Sequence, residues 1–504
     1  MKETSASDKP WLKFYDAGVP ASIDYPSIPL DRLLSEAAAK HPDQPAAIFG
    51  GRLGRRVLDR ALSYQELDQA VNRLATALQR LGLSKGGRVP IVMPNCPQFV
   101  MAFYAVLRAG GIAAPSNFLY TAGELERQVN DAGSEIAIVL SSFYHKVDSI
   151  RDRTPLRHII VTNIKECFPP SLRLLFTLAK ERKGGHHALL TSDRDTWLSR
   201  LLKDTPPTPT PVPVDAEDTA CLLSTGGTTG VAKAAQLTHR NLVSNAVMAN
   251  AWAASREGAE IIIGALPLFH SYGMTSVMNM AVARALTMVL IPDPRDVLHV
   301  MGAISKHRAT FYPGVPVPDT DARIVDLESG EEELPVGEIG ELIVRGPQVV
   351  KGYWQQPTET ANVLREHPAL GPGKWLHTGD IARMDEEGYF QIVDRKKDMI
   401  ICGGFNVYPR EVEEETYTHP AVQEVAVAGI ADEYRGETVK AFVVLREGLT
   451  ASEEEIIAFC REHLARYKAP AAIEFRSELP KSAVGKVLRR ELARGDGQMT
   501  TEVS

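Results

Sequence analysis

The chain has 504 residues, 44% hydrophobic and 24% charged, with a net charge of −7 and a pI near 6.1. That length is too great for one core and predicts two or more domains of an ordinary soluble globular protein. The acidic balance argues against a nucleic-acid partner. Five scattered cysteines, none at zinc or redox spacing, suit a reducing cytosol, and residues 1–20 lack the apolar run of a signal peptide.

Ser63 to Leu81 predicts the first clear helix. Ser63 and Glu66 make a capping box, Leu67, Val71, Leu74, Leu78 and Leu81 share a face, and Gly82 ends it. A strand over Arg88–Met93, a helix opened by Pro97 and running to Arg108, and a strand over Ile136–Leu140 follow. Strand and helix in alternation imply a largely parallel sheet covered on both faces. Leu172 to Lys183 (LRLLFTLAKERK) is apolar, then basic. A packed surface helix is its first reading and a helix resting on a membrane surface its second.

The proline-rich Asp204–Asp218 stretch reads as a linker. It delivers the chain to LLSTGGTTGVAKAAQLTH, Leu222 to His239, an apolar strand running into a loop of glycines, threonines and one lysine. Met274–Ile291 is apolar but broken by Asn279 and Arg284, which favours a buried helix and a strand over a membrane span. After Asp394, strands over Val422–Ile430 and Val439–Leu445 precede a helix capped by Thr450 and Glu453, with Ile456, Cys460, Leu464 and Tyr467 on its buried face. This is the pattern of a separate small α+β domain.

The glycine-rich loop fails as a nucleoside-triphosphate P-loop. Ala232 stands where that motif needs glycine, and Ala234 stands where it needs a metal-binding hydroxyl. Backbone N–H groups made approachable by glycine, with hydroxyls and a cation, still suit a polyphosphate.

Three later segments, WLHTGD (375–380), DRKKDMIICGGFNVY (394–408) and PKSAVGKVLRR (480–490), complete a set. With the loop they resemble the acyl-adenylate-forming, AMP-binding enzyme family of acyl-CoA synthetases, luciferases and peptide-synthetase adenylation domains. The likeness runs from about Leu30 to Leu492. It implies an α/β fold: a large adenylation domain of several subdomains over 1–394, and a small mobile α+β domain over 395–504. It also implies two steps, in which a carboxylate displaces pyrophosphate from ATP and a thiol, here coenzyme A, then displaces AMP.

The resemblance assigns roles. Thr225, Gly226, Gly227, Thr228, Thr229, Gly230 and Lys233 would cradle the β- and γ-phosphates. Asp380 would accept from the ribose hydroxyls, and Arg395 would bind ribose or phosphate. Lys486 would bridge the acid and the α-phosphate. Lys397 would be the hinge about which the small domain turns, and Gly403 and Gly404 would let the pantetheine pass close to the backbone. His270, in PLFHSYG, would flank the acyl and adenylate pocket; a buried structural histidine is the competing reading. The flanks of WLHTGD and NVYPREVEE look most like medium- to long-chain fatty acyl-CoA ligases, with an aryl or short-chain acid left open.

One family motif is absent: the central Tyr-Gly-x-Thr-Glu, whose aromatic stacks on adenine and whose Glu holds Mg2+. Ser271-Tyr272-Gly273-Met274-Thr275 is not it, since Ser276 replaces the Glu. HRATFYPGVP (307–316) matches the strand before the motif and VPDTDARIVD (317–326) a strand well after it. A length on the order of a hundred residues, domain-sized, has therefore collapsed onto residues 314–317.

The leading expectation is a cytoplasmic ligase, with peripheral membrane association as an option, that uses ATP, Mg2+ and coenzyme A and is crippled by that loss. The alternatives are an inert remnant that binds a nucleotide or partner, and a module that acylates a carrier-protein thiol. The loss should also bare apolar faces and sheet edges that the segment once covered.

Overall fold

The structure, a computed structural model, describes residues 9–489 and 492, apart from 17, 55, 226–232, 294–295, 308–318, 387, 397, 403–404, 433–435 and 482–486. Contacts divide the chain into two compact units: Tyr15–Thr320 with Gly346–Asn362, and Met1–Phe14 with Asp321–Arg345 and Val363–Ser504.

The first unit is built on an eight-stranded sheet. Its order is Gly352–Tyr353, Lys233–Thr238, Thr219–Thr225, Ile112–Ser116, Arg88–Val92, Ile136–Leu140, His158–Thr162 and Thr196–Trp197. The last six run parallel, and the first two join antiparallel at one edge. Ile112–Ser116 and Ile136–Leu140 are buried at every residue, so both sheet faces are covered.

Helix α1 (Tyr64–Arg80) carries the predicted Ser63–Glu66 capping box and buries Leu67, Val71, Leu74 and Leu78. Gly82 follows at φ +95°, a conformation that suits glycine. Helix α2 (Pro97–Arg108) is buried from Pro97 to Leu107, apolar nearly all round as a helix inside a core must be. Helix α3 (Pro170–Ala179) buries only Leu172 fully, with Phe176 partly buried against the core beside it, a packed surface helix as expected. A four-stranded sheet of Pro45–Leu53, Arg56–Ser63, Ile261–Gly264 and Thr287–Leu290 completes the unit. The Met274–Ile291 stretch is a buried helical turn and a strand, as expected.

The strand Thr219–Thr225 (β1) and the strand Lys233–Thr238 (β2) precede helix α4 (His239–Trp252). His239 is 1% exposed, and its Nδ1 accepts the Leu30 N–H at 3.0 Å, which requires the neutral ring. The helix Val297–His307 leads to the collapsed region. It exposes Leu298, Met301 and Ile304 at 66, 58 and 38%. Spacing of three puts them on one side. Residues 308–318, which include the 314–317 at which the sequence places the loss, lie outside the described residues. Just beyond them Asp319 sits at φ +56° and accepts from Ile23 N and Tyr25 Oη, both at 2.8 Å.

The second unit holds two five-stranded sheets. In one, Asp321–Val325, the strand Gly340–Arg345 (β3), the strand Lys374–Met384 (β4) and Leu364–Glu366 pair in that order, with Phe390–Arg395 (β5) also on β4, all antiparallel. The other sets Gly436–Leu445 between Val422–Asp432 and Ile400–Cys402, with Ala472–Phe475 parallel to it. Helix α5 (Glu453–His463) buries Ile456 and Cys460. Its capping box is Ser452 with Glu455, not Thr450 with Glu453. Both pairs have the right spacing, and the box two residues on keeps Ile456 and Cys460 facing the core. Leu464 is the residue after the helix, and Tyr467 lies beyond it, stacked on Phe405 at 4.7 Å.

Burial pushes the His239 imidazole from its ordinary 6.5 down to about 4, against the pull of Asp218. A depressed histidine stabilises the fold above its unfolded pKa, and that contribution is lost as pH falls from 6.5 through 4. Urea denaturation should thus show stability falling over this window. The fall should shrink in His239→Asn, which keeps an acceptor but does not titrate.

Candidate nucleotide-binding site

The phosphate-loop residues sit on a hairpin. β1 and β2 are antiparallel, with Thr225 opposite Lys233. Thr225 ends β1; its side chain and Gly226, Gly227, Thr228, Thr229 and Gly230 lie outside the described residues. Helix α4 starts only after β2. Its N-terminus is closed by its own side chains, Thr238 Oγ1 accepting from Asn241 N at 3.1 Å and Asn241 Oδ1 from Thr238 N at 2.9 Å. The first amides of α4 are therefore already occupied by its own capping side chains.

Lys233 already has an anionic partner. Its ammonium is ion-paired with Glu359 and lies 5.4 Å from the Tyr353 ring centroid, on the edge strand beside β2. A phosphate must compete with that carboxylate. Neither Glu359 nor Tyr353 was singled out by sequence, although KGYWQQPTET places both within ten residues.

His270 is exposed, so it is not a buried structural histidine. Its segment is fixed from behind by Asn95. That side chain donates to Gly264 O at 2.8 Å and Leu266 O at 2.7 Å, and accepts from Leu268 N at 2.9 Å.

In the second unit, Asp380 and Arg395 come together directly. They face each other across β4 and β5, with Arg395 Nε 2.7 Å from Asp380 Oδ1. Gly379 adopts φ +70° within β4, and its carbonyl accepts Lys396 N at 2.9 Å. The Asp380 motif is thus a kinked strand, not a free turn.

Behind it lies a charge cluster that sequence reasoning missed. Glu341 on β3 is 4% exposed. Its Oε1 accepts Gly379 N at 3.2 Å, while Oε2 lies 3.0 Å from Lys396 Nζ and 3.2 Å from His377 Nδ1. His377 Nε2 is 3.0 Å from His367 Nε2, and both rings are buried. Burial alone would raise the Glu341 pKa, but the His377 bond and the Lys396 ammonium outweigh it and hold the carboxyl at about 2. Burial and the neighbouring His377 also lower the His367 pKa. A glutamate inside the apolar run GELIVR was the available signal, since a buried charge needs partners.

Lys486, Lys397, Gly403 and Gly404 lie outside the described residues. The flanks of Lys486 are fixed, however. Lys481 and Val487 form a β-bridge, and Leu488 N donates to Pro480 O at 2.9 Å. Arg489 Nη2 meets Glu413 Oε2 at 2.5 Å. Two cavities, of 470 Å3 beside Tyr408 and Arg410 and 330 Å3 beside Met101 and Cys167, are not lined by Lys233, His270, Asp380 or Arg395.

The sequence profile described as AMP-binding enzyme matches residues 34–317 and 312–354, and AMP-binding enzyme C-terminal domain matches 411–486. The first match is split at 312–317, where the sequence collapses. Relatives called long-chain-fatty-acid--CoA ligase are 39% identical in Bacillus subtilis and 34% in Escherichia coli. In each case the match spans 96% of this chain and 98% of the relative. The Bacillus alignment covers 566 positions, whereas 96% of 504 residues is about 484, so about 80 positions have no residue here. The crystal structure of ATP-bound MatB from Rhodopseudomonas palustris is similar at TM-score 0.76 and 26% identity, over 94% of this chain and 99% of that one.

The Glu341 cluster yields a stability test. Glu341→Gln keeps an acceptor for Gly379 N but leaves the part-exposed Lys396 ammonium and the buried His377 ring without a carboxylate partner. Losing a hydrogen bond to a charged group costs about 1.5–3 kcal/mol, readable by urea denaturation near neutral pH. A carboxyl held near 2, below its ordinary 4.5, stabilises above 4.5 and loses that contribution as pH falls toward 2. The gap between wild type and variant should therefore close over that window.

Proposed function

The chain belongs to the AMP-binding enzyme family, and from that premise we propose that it is by descent an AMP-forming acid–thiol ligase making acyl-CoA from medium- or long-chain fatty acids. The observation that carries the reading is the Asp380–Arg395 pair. Two adjacent strands hold a carboxylate in register with a guanidinium 2.7 Å away. A ribose diol would then meet an acceptor already oriented, with less ordering left to do on binding.

A fatty-acid carboxylate oxygen attacks the α-phosphorus of ATP, the bond to pyrophosphate breaks, and an acyl-adenylate forms. The coenzyme A sulfur then attacks the acyl carbonyl, AMP leaves, and the thiol proton passes to water. The hairpin loop Thr225–Gly230 and Lys233 hold the β- and γ-phosphates, Lys233 exchanging Glu359 for phosphate. Lys486, carried between the fixed flanks at Val487 and Lys481, offsets the charge that develops as carboxylate meets phosphate. The small domain from residue 395 turns at Lys397, bringing Gly403 and Gly404 to the pantetheine. His270 flanks the acyl pocket.

Among the described residues no three His, Cys, Asp or Glu side chains gather to hold a metal. In this reading Mg2+ accompanies ATP as its counter-ion. Among the described residues no helix is long and apolar enough to cross a membrane. Peripheral contact with a membrane, where fatty acids reside, belongs to the same proposal.

The activity of this chain is crippled in our reading. The bare Leu298, Met301 and Ile304 beside the collapsed region, and the family match that breaks at 312–317, support a lost segment. With it go the adenine platform and the metal carboxylate. Misplacement of reacting groups costs about a hundredfold and lost electrostatic stabilisation a further 10²–10³ or so. The same observation favours the second reading, a remnant that binds nucleotide without turnover.

Fatty-acid-dependent ATP–pyrophosphate exchange separates the two. The 504-residue chain should show at most a trace, and a family-derived segment inserted between Pro316 and Val317 should restore exchange. Robust turnover without the insert would overturn the crippling; no exchange with it would favour the remnant. In the restored protein, Lys486→Ala should abolish exchange far more than thioester formation from supplied acyl-adenylate. Equal loss in both half-reactions would refute the role of Lys486.

A further inference from the structure

Helix α3 departs from the rule that governs the rest of its unit. Leu174, Leu175 and Leu178 are exposed at 62, 42 and 77%, and only Leu172 of its ten residues is buried. Their spacing of one and four places them along one side of the helix. The opposite side anchors it. Phe176 meets the Phe168 ring at 5.5 Å and the His186 ring at 5.3 Å. Leu172 packs beside Gly51, in a hairpin whose tip exposes Leu53 at 54%. The helix is therefore held firmly with its leucines turned to solvent.

The exposed charges within its own segment have one sign. Between residues 168 and 192 the cations Arg173, Lys180, Arg182 and Lys183 are all exposed. The single carboxylate, Glu181, is 8% exposed, 2.6 Å from Lys165 Nζ and 2.9 Å from Asn163 Nδ2. In a chain of net charge −7 this is a local cationic rim with no exposed acid of its own segment.

An apolar stripe rimmed by cations fits a surface that offers hydrocarbon at its centre and negative charge at its edge. We propose that α3 is the face by which this protein rests on an anionic lipid bilayer, Leu174, Leu175 and Leu178 entering the headgroup boundary and Arg173, Lys180, Arg182 and Lys183 meeting lipid phosphates. A second copy of the chain fits worse. In a twofold pair the patch meets itself, so the same cations would oppose one another. The surface deepens the membrane contact proposed above and stands independently of catalysis, since it involves neither the motifs nor the lost segment.

Flotation of the full chain with phosphatidylcholine vesicles, with and without phosphatidylglycerol, tests this, because bound protein floats while aggregates sink. Binding is expected only to the anionic vesicles and should weaken with salt. Leu174→Ser/Leu178→Ser and, separately, Lys180→Glu/Arg182→Glu/Lys183→Glu should each reduce it about tenfold or more, with circular dichroism and thermal midpoint unchanged. Equal binding to neutral vesicles, no binding, or binding untouched by both variants would overturn the proposal. So would concentration-dependent dimerisation, in sedimentation velocity, that the leucine variant abolishes. Vesicle binding without pyrophosphate exchange in the restored protein would sink the catalytic reading alone, and exchange without vesicle binding would sink this one alone.

Discussion

A sheet whose strands are apolar on both faces exists in water only while both faces are covered, and the larger unit of this protein is organised by that constraint. Ile112–Ser116 and Ile136–Leu140 are buried at every position, and α2 is buried at eleven consecutive residues to fill the space beside them. Each such side chain contributes roughly 1.5–3 kcal/mol by leaving water, against a net margin of only about 5–15 kcal/mol for a whole domain. The helix Val297–His307 departs from that constraint, with three large apolar side chains in solvent.

The polar groups of the candidate site obey a different constraint. A charge near a protein interior must be answered, and here each is answered by an internal partner: Lys233 by Glu359, Asp380 by Arg395, and Glu341 by Lys396 and His377. An anion that bound any one of these groups would exchange one ion pair for another, so its net gain would rest on geometry more than on bare Coulomb attraction. Glu341 ties the Gly379 amide and the Lys396 ammonium to one buried carboxylate. The strand that carries Asp380 and the residue preceding Lys397 thus share an anchor.

Much of this was legible locally. The capping box at Ser63, the Pro97 opening of α2 and the apolar run Ile136–Leu140 are short-range signals, and they fold as their patterns dictate. Lys233–Thr238 was not read as a strand. Its alanines have little β preference, and pairing with Thr219–Thr225 imposes the conformation. The ion pairs were invisible for another reason. Lys233 and Glu359 are 126 residues apart and Glu341 and Lys396 are 55 apart, and no periodicity links residues that meet only through the sheet. Motif likeness could name Asp380 and Arg395, but only strand register shows them as one pair.

Two helices in the larger unit leave apolar faces bare, and their surroundings distinguish them. Val297–His307 ends in Lys306 and His307, and both are drawn onto Asp59, at 2.8 and 2.9 Å. Among the described residues its exposed stripe has no cationic rim, and in sequence it adjoins residues 312–317, where the two family matches overlap. Helix α3 lies far from the break in sequence and is clamped by Phe176 and Leu172. Its cations are exposed, and the one acid within residues 168–192 is buried. The lost segment proposed above would account for the first face but not for the second. An exposed stripe that is rigidly held and uniformly rimmed is a surface built to be covered by something apolar and negative.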